Sequence, residues 1–574
     1  MKAKRLTTAL FIVFLLLIQI CVLPVSAADT KGLTLPSGVS GEKIRETLDS
    51  FLDEHKDNHA AVAVSVFRGE NDIYSRCFGF IDKDSSVPLD ESCVLEWGST
   101  SKLLIWISAM QLYEQGKLNL TSDIKEYLPD GFLKNLRFDK EITMLNLMNH
   151  NAGFQETDFI LEVTDEKDII PLGEYLSKYQ PVQVFEPGTV SAYSNWGAAL
   201  AGYIVECISG MPYYEYVQKF IFEPLSMTHS ALAPDLNDNS YVKGRRNDFV
   251  SYTPDGELWE EETKVYILPY PAGMCVSTPG DFVTFAKALL NKDGRLLKKE
   301  TFDELYTPSS LYTDTDKARL DHGFLVDYDF AVTVVGHDGN TAGGSSRIIL
   351  DLENGIGMTV LTNQLGGSLY RTKMAELVFG TADYHIDVDG YYIPARGVFS
   401  GRQKFFNNFL LINHCHITKE MTDGMYFNVA SDHLEFSSTD YITPQVNYRL
   451  RDAITIAWFA LSGFALLLFL IRIIVAIILC IKKKEQSRLN LICALFGLLT
   501  GLSLLTLTAV ISKAVMLIYI ILMCIFAVAF AVYLVVKRNE NRQTRFQKLS
   551  YYLGWVLIPC LVTAIINLII WEFV

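Results

Sequence analysis

Hydrophobic positions along this chain fall into three regimes: an apolar opening, a long region of short mixed periods, and four apolar stretches at the end. In the opening, Lys2, Lys4 and Arg5 precede the apolar run Leu10–Leu23, broken by Gln19, and Pro24 with Val25-Ser26-Ala27 ends it. A basic start, a short apolar centre and small residues at the exit predict a secretory signal peptide over 1–27. The closing stretches cover about 454–481, 489–511, 514–536 and 551–570. Each is long enough to cross a hydrocarbon core, so 451–574 is expected to hold four transmembrane helices in a lipid bilayer.

The middle region alternates in ways that name its elements. Ile44, Leu48, Phe51 and Leu52 give Gly41–His55 one apolar helical face. Strand-like runs follow at Ala60–Phe67 and Asp72–Phe80, joined by the turn Arg68-Gly69-Glu70-Asn71. Helical patterns occupy Ser101–Gln115 and Ala198–Ser209. Further strands are predicted at Phe330–Val335, Arg347–Leu352 and Ile356–Thr362, the last two linked by Asn354-Gly355, before a helix over Arg371–Phe379. Strands at both ends with helices between predict an α+β fold over 28–383, one antiparallel sheet built from distant segments around a helical insertion. From 384 to 450 the pattern is β-rich and less regular, a small linker module before the all-α membrane region.

Charge sharpens the topology. The chain is net −15, but the last 124 residues carry 12 basic and 4 acidic residues and the leader 3 basic and none acidic, leaving the middle at −26. Such a surface repels nucleic acid. Lys482, Lys483, Lys484 and Arg488 lie between the first two spans, and Lys537, Arg538, Arg542, Arg545 and Lys548 between the last two. Basic loops stay cytoplasmic, which puts the middle region outside the cell, the side the leader also requires. Arg472 falls within the first span. Cys77, Cys93, Cys207, Cys275 and Cys415 are scattered without a CxxC pair, and His414-Cys415-His416 has no second ligand cluster, so no disulfide framework, metal or cofactor is expected.

Three short boxes carry candidate chemistry. Ser99-Thr100-Ser101-Lys102 places a serine and a lysine on one helical face, where a desolvated amine can accept the hydroxyl proton. Ser40-Gly41-Glu42-Lys43 has the same spacing but directly precedes an amphipathic helix, and Ser40 reads as its cap. Tyr193-Ser194-Asn195 offers a phenol that can shuttle protons as a tyrosinate, and an amide able to hold either the lysine or a substrate amide. Tyr426-Phe427-Asn428 repeats the spacing beyond the apparent domain end. Gly336-His337-Asp338-Gly339 follows a strand and supplies a cation beside glycine, whereas Lys292-Asp293-Gly294 reads as a helix-ending turn.

In this order, the boxes resemble the serine β-lactamase and penicillin-binding protein superfamily, in particular its class C β-lactamase-like branch. Leu147-Met148-Asn149-His150-Asn151-Ala152-Gly153-Phe154, Phe185-Glu186-Pro187-Gly188, Phe222-Glu223-Pro224-Leu225-Ser226-Met227, and Ala272-Gly273 with Ser277-Thr278-Pro279-Gly280-Asp281 resemble further phrases of that family. The resemblance implies a β-lactamase/transpeptidase-like fold. It implies Ser99 as nucleophile, Lys102 as base or base partner and Tyr193 as general acid–base. Asn195, His337, Gly339 and Asn340 would bind substrate, and the backbone N–H groups of Ser99 and Asn340 would form the oxyanion hole. His337 replaces the lysine of the family's K-T-G, which weighs against efficient β-lactam hydrolysis. The implied substrate is a small peptide, D-amino-acid amide or ester, cell-wall peptides among them. Leader, hydrolase and terminal spans together also resemble the peptidases that mature colibactin-type prodrugs. A non-catalytic receptor signalling through the spans is the competing class.

Overall fold

The computed structural model describes residues 32–58, 61–134, 136–156, 161–253, 265–367, 369–396, 415–422, 425–431 and 433–442, with scattered positions beyond 459. The predicted signal peptide and the body of the four predicted spans lie outside the described residues. Leu467, Ile471, Ile474, Val528 and Val532, within those stretches, are helical and exposed. Among the described residues no helix is long and apolar enough to cross a membrane. The chain divides into two compact units, one of residues 1–397 with 415–443 and one of 398–414 with 444–574.

The first unit is built on a large sheet. Its principal elements are α1 (Ile44–Glu54), β1 (Val62–Arg68), β2 (Asn71–Phe78), α2 (Lys102–Glu114), α3 (Asn195–Ser209), α4 (Pro279–Leu290), β3 (Ser310–Leu311), β4 (Ala318–Asp321), β5 (Phe324–Asp327), β6 (Val334–Asn340), β7 (Ser345–Asp351), β8 (Ile356–Thr362) and α5 (Met374–Phe379). The strands form one eight-stranded sheet in the order β3-β4-β5-β6-β7-β8-β1-β2. Every described pairing in it is antiparallel, and β1 joins β8 across the intervening chain. This is the expected α+β architecture.

Alternation along β1 explains the two layers. Val62, Val64 and Val66 face one core with Ile44, Leu48 and Leu52 of α1 and Met374, Val378 and Phe379 of α5. Ala63 and Phe67 face the other, with Trp97, most of α2, and α3. Because both faces are covered, the strand reads as a continuous apolar run. Helix α2 is buried from Lys102 through Leu112, so it carries no polar stripe.

Two local expectations are corrected. Ser40 does not cap α1; it pairs by backbone with Thr34, and Lys43 precedes the helix without a side-chain cap. The strand predicted at Phe330–Val335 lies further along, at Val334–Asn340, because its partner β7 pairs it from Val335 to Asn340. His337 through Asn340 are therefore strand, not the loop after one. Strand β5 pairs with β6 only as far as Gly336, which among the described residues leaves the His337–Asn340 edge without a strand neighbour on that side.

Within 384–450, β9 (Gly390–Pro394), β10 (Cys415–Ile417), β11 (Asn428–Val429), β12 (His433–Glu435) and β13 (Asp440–Ile442) form a second sheet in the order β10-β9-β13-β12-β11. It belongs to the same compact unit as the large sheet. Arg319 and Asp440 pair at 2.6 Å with side chains 4% and 2% exposed, and Glu435 accepts from the Thr313 backbone and hydroxyl.

Candidate active site

Ser99 lies in a single helical turn, Gly98–Ser101, that leads into α2. The turn is fixed from both sides. Ser101 donates to the Gly98 carbonyl and accepts from the Cys275 N–H, while Thr100 and Ser346 both donate to the Trp97 carbonyl. Trp97 is itself buried, with its indole N–H on Ser277 at 2.8 Å. Close approach of β6 to this turn requires glycine twice. A Cβ on Gly339 would stand 1.9 Å from the Trp97 carbonyl oxygen. Gly98, at φ +54°, would place one 2.7 Å from the Asn340 backbone nitrogen. The residue before Ser99 is thus brought backbone to backbone with Asn340, far away in sequence.

Lys102 is wholly buried, and its Nζ meets three oxygens: Ser99 Oγ at 2.9 Å, Asn195 Oδ1 at 2.7 Å and the Ala272 carbonyl at 2.8 Å. Burial is the main cause that pulls its pKa down to about 7; the nearby Glu156 carboxylate opposes this and Arg396 adds to it. Asn195 begins α3 and cannot turn over, because its Nδ2 donates to Glu156 Oε1 at 2.9 Å and its backbone N–H to Glu156 Oε2 at 2.8 Å. A carboxylate only accepts, so the amide oxygen must face Lys102.

This arrangement dictates where the lysine keeps its lone pair. The Ala272 carbonyl and Asn195 Oδ1 are acceptors only. A neutral amine spends its two N–H groups on them and presents its lone pair to the Ser99 hydroxyl.

Tyr193 stands beside the pair, its phenol within the influence of the Ser99 side chain and Lys102 Nζ 4.8 Å from its ring centroid. Burial raises its pKa well above the ordinary phenol value, so at rest it is a phenol and not the anticipated tyrosinate. His337 is corrected in the same way. Burial first, and then the charge of Lys102, push its pKa down to about 4, so it is neutral and not the expected cation. Its Nδ1 lies 2.6 Å from the Asp338 carbonyl, which fixes the proton there and turns Nε2 into an acceptor, buried without a partner among the described residues. Asn340 ends the strand, exposed.

The structure therefore gathers Ser99, Lys102, Tyr193 and Asn195, and sets the strand of His337, Gly339 and Asn340 along them. Three participants escaped the sequence. Glu156 lies just past the His150–Phe154 phrase and has no periodic signal. His150, noted only within that phrase, packs its ring 4.4 Å from Tyr193 and accepts the Ser194 N–H on Nδ1. Arg396 reaches Tyr193 from the smaller sheet's segment, its Cζ 5.1 Å from the ring centroid. Tyr426 instead packs against Tyr312, Tyr328 and Tyr384. Among the described residues, His433, Glu435 and Asp440 group as metal ligands do, but Glu435 is taken by Thr313 and Asn428, and Asp440 by Arg319 and Ser191.

An antiparallel sheet flanked by helices, with a hydroxyl held against a desolvated amine at their junction, defines a serine hydrolase of the β-lactamase/transpeptidase fold. Residues 45–383 match the Beta-lactamase family model, and the chain belongs to that family. It is 26% identical over 359 residues to Penicillin-binding protein 4 of Amycolatopsis lactamdurans, covering 58% of this chain and 89% of that protein. It is also 26% identical over 251 residues to the Beta-lactamase of Yersinia enterocolitica, covering 44% of this chain and 59% of the relative. Among solved structures, D-amino acid amidase from Ochrobactrum anthropi SV3 complexed with L-phenylalanine amide is similar at 23% identity and a TM-score of 0.48, covering 59% of this chain and 97% of that one.

Proposed function

We propose that this protein is a membrane-tethered serine hydrolase of the class C β-lactamase-like type, acting outside the cytoplasm through an acyl-enzyme on peptide, D-amino-acid amide or ester substrates. The observation that carries this reading is the Lys102 lone pair aimed at Ser99 by two fixed acceptors. Ser99 Oγ attacks the substrate carbonyl carbon as its proton passes to Lys102 Nζ. The carbonyl oxygen, now an anion, takes the backbone N–H groups of Ser99 and Asn340. When the intermediate collapses, the bond to the leaving nitrogen or oxygen breaks and the Tyr193 phenol supplies its proton, replenished from Lys102. Water then enters by the reverse route, giving its proton to the same pair and releasing the acid and Ser99. The leader and the four apolar stretches support tethering, and the basic loops support an extracytoplasmic site. The names of the relatives, a penicillin-binding protein and a β-lactamase, support ligands with a reactive amide.

Labelling tests the reading. The full-length protein is treated with a fluorescent fluorophosphonate and, separately, a fluorescent penicillin. Labelling by the first is expected, lost in Ser99→Ala and kept in Ser40→Ala. Label that persists in Ser99→Ala defeats the assignment, and a folded protein that never labels favours a receptor. A library of D- and L-amino-acid amides then resolves the acyl group.

A further inference from the structure

Arg396 lies two residues past β9, beyond the span matched by the family model. Backbone stitching brings it to the site. The Ala395 N–H donates to the Asp440 carbonyl at 2.7 Å, and the Asp440 and Ser191 backbone N–H groups each bond the other residue at 2.8 Å. Arg319 donates to Asp440 Oδ1 at 2.6 Å. The segment carrying Arg396 is thereby tied to a residue two positions before Tyr193.

At the site, Arg396 Nη2 stands 3.9 Å from Glu156 Oε2, too far for a hydrogen bond, and both Glu156 oxygens already accept from Asn195. Among the described residues the guanidinium makes no hydrogen bond. Its side chain is 43% exposed, over the ring of Tyr193, the phenol proposed above to protonate the leaving group. A planar fork of unspent donors beside a reacting centre is suited to a carboxylate. It is a local positive charge on a region whose net charge is −26.

We propose that Arg396 selects substrates that bear a carboxylate on the leaving-group side of the cleaved bond. This rests on the hydrolase reading above. The test compares two esters with the same acyl group, one leaving as 3-hydroxybenzoate and one as 3-hydroxybenzamide, with the full-length protein. Wild type should favour the carboxylate about tenfold in kcat/KM, the scale of one charge-assisted hydrogen bond. Arg396→Ala should abolish that ratio, Arg396→Lys keep part of it, and Arg396→Glu invert it. Equal losses on both esters in Arg396→Ala would mean that the guanidinium only steadies Glu156, and would overturn the proposal, as would a wild type without preference. Fluorophosphonate labelling separates the two readings. Labelled Ser99 without charge preference overturns this inference alone, whereas unlabelled protein that turns over neither ester overturns both.

Discussion

Lys102 Nζ lies 2.9 Å from Ser99 Oγ, and neither of the other two oxygens around that nitrogen can donate a proton. The pair therefore has one direction of proton flow once the lysine is neutral, with consequences for pH, positioning and packing.

Activity should rise with pH. Lys102 is held at about 7, and the form that accepts the Ser99 proton is the neutral amine. Measured from about pH 5 to 9, kcat/KM should climb tenfold per unit on the acid side and level off above the midpoint. The Glu156 charge raises the Lys102 pKa, so Glu156→Gln moves the midpoint to lower pH; the Arg396 charge lowers it, so Arg396→Ala moves it to higher pH. A profile flat across that range contradicts Lys102 as base.

Glu156 acts through Asn195. In Glu156→Gln one of the two acceptors becomes an N–H group that faces the donors of Asn195, and the Asn195 amide loses its fixed orientation. A fall in kcat/KM of about 10- to 100-fold is expected, with Tm little changed. Turnover per folded molecule equal to wild type, at lowered Tm, would assign Glu156 a purely structural part.

Gly339→Ala tests the approach of β6 to the Ser99 turn. The new methyl would meet the Trp97 carbonyl oxygen and Ser346 Oγ, so strand or turn must move. The expected cost is about 1–3 kcal/mol in denaturant unfolding, with a larger proportional loss of turnover, since the displaced backbone bears Asn340. Wild-type turnover in this variant would show that the edge does not form the site.

Arg319→Ala leaves Asp440 charged, buried and unpaired. Such losses run to about 3–5 kcal/mol, and thermal unfolding should record a drop of that order. Arg319→Ala with Asp440→Asn should recover part of it. Because Asp440 also holds Ser191, turnover should fall along with stability.

Much of the fold was legible because it obeys short periods. The α1 face follows from its helical period, the β1–β2 hairpin from its turn between two strand-like runs, and β8 from the near-continuous apolar run that a doubly covered strand shows. The β6 boundary was not legible. Gly336-His337-Asp338-Gly339-Asn340 has loop composition, and only the ladder to β7 holds it extended. Ser40 looked like a cap because capping residues and bridge residues share the same polar composition.

By itself the sequence determined the order of the three boxes, the helical spacing of Ser99 and Lys102, the acidic middle and the apolar ends, since these depend on neighbours along the chain. Tertiary structure decided everything that depends on dielectric and on distant partners. Lys102 and His337 carry depressed pKa values because the packed core removes water from them, and Tyr193 keeps its proton for the same reason. Glu156 and Arg396 belong to the site only because folding closes separations in sequence that no local period spans.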